Sequence, residues 1–182
     1  MKSLSDHIMD ILQNSISAKA TLIEISVEED KKNDLCFLKI KDNGRGMDEN
    51  TTRQATNPFF TSRKTRKVGL GLSLLKQKAE MANGTFNLIS ELGKGTELNA
   101  KFQMSNVDRP PLGDIWDTFY LTMLSNKNIE FVYQHKTEKG DFKIHSSEIK
   151  EMLGEVSLMQ KEIKDAIIEL IRNNLSDIET VN

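Results

Sequence analysis

The sequence predicts an α+β fold, a two-layer α/β sandwich in which helices cover one face of a mostly antiparallel sheet. Three observations predict it. Apolar residues recur at three- and four-residue steps over residues 4–16 and again over 72–82, the spacing of a helix with one buried stripe. Two pairs of short runs with strand character, 21–28 with 35–41 and 85–92 with 96–104, are each joined by a short polar turn, the pattern of antiparallel hairpins. The order helix, strand, strand, loop, helix, strand, strand then lays both helices on one sheet.

In the first helix Ser3 or Ser5 serves as the cap, and Leu4, Ile8, Ile11, Leu12 and Ile16 form the core face. Asp10 and Asn14 are four residues apart and share one side. Asn14-Ser15 lies among apolar neighbours, where helix interiors usually avoid asparagine. Two readings stand: a polar residue at the edge of the core face, or an inward amide that holds a metal ion with a carboxylate one turn earlier. Residues 21–28 alternate as a half-buried strand, and Glu29 to Asp34 form a charged turn. The next strand, 35–41, ends abruptly in Asp42-Asn43-Gly44-Arg45-Gly46-Met47. This places a carboxylate at the strand's carboxyl end, followed by two glycines that let the backbone turn tightly and a flat ligand lie against it. Alone, the hexapeptide is more often a hairpin-type turn with a solvated aspartate.

Residues 48–68 lack periodicity and read as a long loop, a kind of segment that is usually functional or mobile. Phe59-Phe60 are expected to anchor it, with Arg63, Lys64, Arg66 and Lys67 solvated or facing anions. Gly69-Leu70-Gly71-Leu72-Ser73 opens the second helix, which carries Leu72, Leu75 and Ala79 on one face and stops at Asn83-Gly84. The bare N–H groups and positive dipole end of such a start suit phosphate. The run is neither a Walker loop nor the dinucleotide Gly-x-Gly-x-x-Gly pattern. Gly93-Lys94-Gly95 turns the second hairpin.

Asn106 to Gly113, with Pro110-Pro111, reads as a linker. Beyond it come a helix (114–124), a hairpin (129–133 and 142–145, turned at 138–141) and two helices. The last of these shows Ile163, Ile167, Leu170, Ile171 and Leu175 on one stripe. His135 and His145 are expected to face each other across the hairpin; two histidines without a third ligand are more often structural than metal-binding. The expected organisation is therefore a domain over 1–104 and an accessory region over 105–182.

Composition sets bounds. The chain has 182 residues, 29% charged and 37% hydrophobic, which is globular rather than disordered. A net charge of −2 gives no general attraction to nucleic acid or an acidic membrane. The single cysteine, Cys36, excludes a disulfide within the chain and a zinc site of paired cysteines. The first residues lack the apolar core of a signal peptide, and no stretch is apolar enough to span a bilayer. Cytoplasmic residence is the expectation.

Together, Asp10-x-x-x-Asn14, Asp42-Asn43-Gly44-Arg45-Gly46, Gly69-Leu70-Gly71-Leu72-Ser73 and Gly93-Lys94-Gly95-Thr96 resemble the ATP-binding signature of the gyrase, Hsp90, histidine kinase and MutL superfamily. Each box alone is weak, but four in this order are specific, and they cover residues 1 to about 104. The Pro-Phe-Phe-Thr-Ser-Arg segment before Gly-Leu-Gly-Leu-Ser is most similar to the histidine kinase branch; Asn14-Ser15 with the strand after it is also similar to MutL-type ATPases. The resemblance implies the Bergerat ATP-binding fold with a small α/β extension, and ATP with magnesium as cofactors. It implies a nucleotide-binding set of Asn14, Asp42, Gly44, Gly46, Met47, Phe60, Lys67, Gly69, Leu70, Gly71, Leu72 and Thr96. Asp42 would accept from the adenine amine with support from Thr96. Asn14 would hold the magnesium ion that bridges the phosphates, and Gly69 and Gly71 would let a lid close over them.

The sequence departs from this pattern in two places. Lys67 stands where the kinase lid has its first glycine, and is either a stiffener or a phosphate contact. Asp10 stands where the ATPases carry a glutamate base, with a shorter reach; in kinases that place need not be a base. Only a few residues precede the first helix and His7 lies on it, so self-phosphorylation by the usual kinase arrangement is not expected. The expected function is a stand-alone ATP-binding protein of histidine-kinase type, acting as a kinase or nucleotide-dependent regulator of a partner protein or phosphoacceptor. The alternatives are an ATP-hydrolysing conformational switch with Asp10 as base, and a non-catalytic regulator of anti-sigma type. A homodimer is left open.

Overall fold

A computed structural model of the chain describes residues 1–57 and 71–180. The first helix, α1 (Leu4–Ser17), starts at a reciprocal cap. The Ser3 hydroxyl accepts from the Asp6 N–H, and the Asp6 carboxylate accepts from the Ser3 N–H. The chain continues through β1 (Leu22–Asp30), β2 (Leu35–Asp42), α2 (Glu49–Gln54), α3 (Gly71–Met81), β3 (Thr85–Glu91) and β4 (Gly95–Gln103). Then follow α4 (Ile115–Ser125), β5 (Glu130–Thr137), β6 (Gly140–His145), α5 (Ser146–Leu153) and α6 (Lys161–Asp177).

All six strands join one sheet in the order β3-β4-β2-β1-β5-β6. Every neighbouring pair is antiparallel except β1 with β5, which run parallel. One face of the sheet is apolar. Ile23, Ile25, Leu38, Ile40, Leu98, Phe102, Phe131 and Tyr133 are buried there, against Ile8 and Leu12 of α1, Leu75 and Ala79 of α3, and Phe119 and Met123 of α4. The other face carries Glu28, Phe37, Lys39, Lys41 and Asn87 in solvent. This alternation is what a sheet covered on one side requires, and the two expected layers are present.

Two expectations, the loop and the histidine pair, are corrected. The loop over 48–68 contains a helix at its start. The Asp48 side chain accepts from the Thr51 N–H at 2.8 Å and caps α2. No residue of α2 is buried, so it has no apolar stripe for periodicity to reveal.

The segment read as a linker is held against the start of α1. Leu4 N donates to the Pro111 carbonyl (2.8 Å) and Ser5 N to the Leu112 carbonyl (2.9 Å), and Leu112 is buried. The chain after it extends the same sheet, since β5 lies beside β1.

The two histidines do not face each other. β5 runs on to Thr137, so His135 pairs with Phe142 and His145 with Val132. His135 is instead buried, with Nε2 3.0 Å from Glu29 Oε1 and Nδ1 2.7 Å from the Tyr133 hydroxyl. That cluster ties β1 to β5. His145 Nδ1 sits 3.5 Å from Glu130 Oε1.

Candidate functional site

Asp42 ends β2 on the sheet face that meets the helices, and is only 7% exposed. A carboxylate taken out of water needs donors. Asp42 has two: the Ser15 hydroxyl donates to Oδ2 at 2.7 Å, and the Gly44 N–H donates to Oδ1 at 2.8 Å. Ser15 occupies the next position on the buried stripe of α1 after Ile8, Ile11 and Leu12. Asn14, rather than Ser15, is the residue that the sequence pattern singles out on this helix. The signal that could have found Ser15 is a hydroxyl at a position where the spacing calls for an apolar residue.

Across the sheet, Thr96 of β4 is paired with Asp42, and Ser90 of β3 is paired with Thr96. The Ser90 Oγ accepts from the Met47 N–H (2.9 Å), donates to the Gly95 carbonyl (2.9 Å) and lies 3.0 Å from the Thr96 Oγ1. A polar row, Asp42–Thr96–Ser90, thus crosses three strands at one end of the sheet. Ser90 was not foreseen, because strand register is not visible in the sequence.

The loop after Asp42 is held from both sides. The Asn43 Oδ1 accepts from the N–H groups of Thr21 (2.8 Å) and Leu22 (2.9 Å), which makes this side chain a clamp on β1. Arg45 N donates to the Ala18 carbonyl and the Arg45 carbonyl accepts from Gly93 N. Gly46 has φ +65°, and a Cβ there would stand 2.0 Å from the Glu91 carbonyl oxygen, so no other residue fits.

Asp10 and Asn14 are half-buried on α1, with Asn14 adjacent to Ser15. A Cβ on Gly71 would lie 1.8 Å from Asp10 Oδ2, so the first residue of α3 rests directly against this carboxylate. Leu72 packs partly buried on the core. Phe60, Lys67, Gly69 and Leu70 lie outside the described residues. One turn before Asp10, His7 is 1% exposed, and neither ring nitrogen has a hydrogen-bond partner among the described residues. Burial pushes its pKa below the ordinary value, against the pull of the Asp6 and Asp10 carboxylates.

The arrangement has clear chemical meaning. Asp42 offers fixed acceptor oxygens in a buried setting, beside a hydroxyl on the next strand. Both groups have lone pairs that can accept further hydrogen bonds. Among the described residues no cluster of three or more histidine, cysteine, aspartate or glutamate side chains could hold a metal ion. Nor is any described helix long and apolar enough to cross a membrane.

Residues 2–106 match the family model described as histidine kinase-, DNA gyrase B-, and HSP90-like ATPase. The chain is 35% identical over 109 residues to a protein of Shewanella frigidimarina described as a sensor protein, covering 59% of this chain and 17% of that one. It is 33% identical over 100 residues to the sensor histidine kinase YvrG of Bacillus subtilis, covering 52% of this chain and 17% of the relative. The match therefore spans about a sixth of the length of each. Among solved structures, the Aquifex aeolicus MutL ATPase domain complexed with ADP is similar with a TM-score of 0.50 at 14% identity, over 93% of this chain and 70% of that one. An N-terminal domain of a DNA repair protein gives a TM-score of 0.54 at 17% identity, over 80% of this chain and 52% of that one. These structural likenesses concern the fold.

Proposed function

The chain belongs to the histidine kinase-, DNA gyrase B-, and HSP90-like ATPase family, whose domain binds ATP, and from that premise we propose that it is an ATP-binding kinase or nucleotide-dependent regulator of a partner protein. The observation that carries this reading is the Asp42 carboxylate, held by Ser15 and Gly44 at the end of a buried strand. In the proposal Asp42 accepts from the exocyclic amine of adenine, with Thr96 beside it. Gly44, Gly46 and Met47 shape the space for the base. Phe60, Lys67, Gly69, Leu70, Gly71 and Leu72 complete the nucleotide-binding set, with Gly69 and Gly71 offering N–H groups to the phosphates.

Magnesium fits this donor set as a phosphate-bound ion rather than a caged one. Asn14 would supply an amide oxygen to the ion, and magnesium keeps waters and takes its other ligands from phosphates. When bound, the ion neutralises charge on the triphosphate. The chain's own part is to hold the base and to orient the phosphates through backbone N–H groups at the start of α3.

Residues 1–104 are assigned to the nucleotide and 105–182 to partner docking. ATP labelled at the γ-phosphate tests this. Label appearing on a partner protein supports the kinase reading, whereas bound ATP with no labelled protein and no ADP leaves a non-catalytic regulator. A second reading, ATP hydrolysis with Asp10 as base, is favoured by the contact between Asp10 and Gly71. Asp10→Asn should then abolish ADP formation and keep ATP binding; unchanged turnover removes Asp10 from that step.

A further inference from the structure

We propose that Ser90, a residue to which the family pattern above gives no part, sets the base preference of this site by fixing the direction of the Thr96 hydroxyl. The proposal rests on the reading of Asp42 and Thr96 as the base-facing pair.

The argument is a count of protons. A serine hydroxyl has one proton to give. The Ser90 Oγ lies 2.9 Å from the Gly95 carbonyl oxygen, which can only accept, so the Ser90 proton goes there. Its lone pair already receives the Met47 N–H at 2.9 Å. The remaining contact, 3.0 Å to Thr96 Oγ1, therefore takes its proton from Thr96. The opposite assignment would set the Ser90 oxygen and the Gly95 carbonyl lone pair against lone pair.

Thr96 thus spends its proton on Ser90 and offers only lone pairs on its other side. Its neighbour across the ladder, Asp42, is likewise an acceptor, since both carboxylate oxygens receive donors from the protein. Two acceptors side by side suit a 6-amino purine, whose amine carries two protons. A 6-keto purine would present lone pairs to lone pairs and leave buried acceptors unpaired. Ser90 touches no base in this scheme; it is a positioning residue that acts through Thr96.

Calorimetric titration of the full chain with ATP and with inosine triphosphate, in magnesium buffer, tests it. The two ligands differ at the 6-position of the purine. The wild type should bind ATP more tightly than ITP by about a hundredfold. Ser90→Ala frees the Thr96 hydroxyl to rotate and donate to a keto oxygen, and the ATP/ITP ratio should fall about tenfold. Ser90→Thr keeps an oxygen in place and should keep the ratio. Should the alanine variant fail to fold, Thr96→Val removes the acceptor while keeping the shape, and should also lower the ratio about tenfold. A wild-type preference that survives both Ser90→Ala and Thr96→Val overturns the role of Ser90 and leaves the Asp42 reading standing. A wild type that binds neither triphosphate overturns both.

Discussion

Ser15 of α1 gives its hydroxyl proton to Asp42 of β2 across 2.7 Å, and this single bond joins the helix layer to the sheet layer at the candidate site. Both groups are buried, with Ser15 3% and Asp42 7% exposed. Removing the donor leaves a carboxylate oxygen without its partner from the helix. A hydrogen bond to a charged group is worth about 1.5–3 kcal/mol. Ser15→Ala should therefore weaken ATP binding by roughly tenfold and lower the melting temperature. Calorimetry and a thermal melt on the same preparation check it; wild-type values in both would mean that Asp42 does not depend on this bond.

His7 gives the chain a pH dependence of known sign. Its pKa in the folded chain is lowered from 6.5, chiefly by burial, with the N-terminal amine and Lys78 adding to the effect and Asp6 and Asp10 opposing it. Below pH 6.5 the unfolded chain takes up a proton that the folded chain refuses. Stability from this group is thus fully present above 6.5 and is lost as pH falls toward the folded value. Asp34 acts further down. The side chains of Ser105 and Gln103 and the Ser105 N–H hold its carboxylate below the usual 3.8, so its contribution is lost only as pH falls through that lower value. His7→Phe should flatten the stability profile just below pH 6.5 and leave the steeper acid limb. Urea denaturation at a series of pH values measures both, and an unchanged slope below 6.5 would rule out His7 as its source.

Lys19 follows α1 with φ +63°, a left-handed conformation that a lysine adopts at a cost. It is exposed, so its side chain gives little in return. Lys19→Gly should stabilise the fold by about 1 kcal/mol, or raise the melting temperature by roughly 3 °C. A melt that stays put or drops would show that the lysine is compensated.

The chain beyond residue 104 covers what the first part leaves bare. α4 packs on α1, and β5 lies along the outer edge of β1. A chain ending at 104 would uncover the side of α1 on which α4 packs and turn β1 into an unpaired edge. Such a chain is expected to be less stable and to self-associate. Light scattering and denaturation compared with the full chain test this. A monomeric fragment of equal stability would mean that 105–182 adds nothing to the fold.

What was legible in the sequence follows from where each signal resides. The two hairpins, the carboxylate of Asp42 before two glycines and the helix stripes are local patterns, and they stand in the structure except at Leu170, which was placed on the stripe of the last helix and is 44% exposed. Ser15 and Ser90 were not legible. Their partners are Asp42, 27 residues away, and Thr96, on the next strand of the ladder. Serine is also too common for its position alone to mark it. The pairing of β5 with β1 was hidden for the same reason, because a parallel contact over a hundred residues leaves no short-range trace. The histidine pairing failed because β5 is longer than its apolar run and the turn is shorter, which shifts the register.

The central claim is that Asp42 reads the base of a bound nucleotide. Calorimetric titration of ATP into the wild type and the Asp42→Ala variant, both shown folded by circular dichroism, tests it most directly. The account predicts one-to-one binding in the wild type and a loss of at least about a hundredfold in the variant. Equal affinity in the two would contradict it.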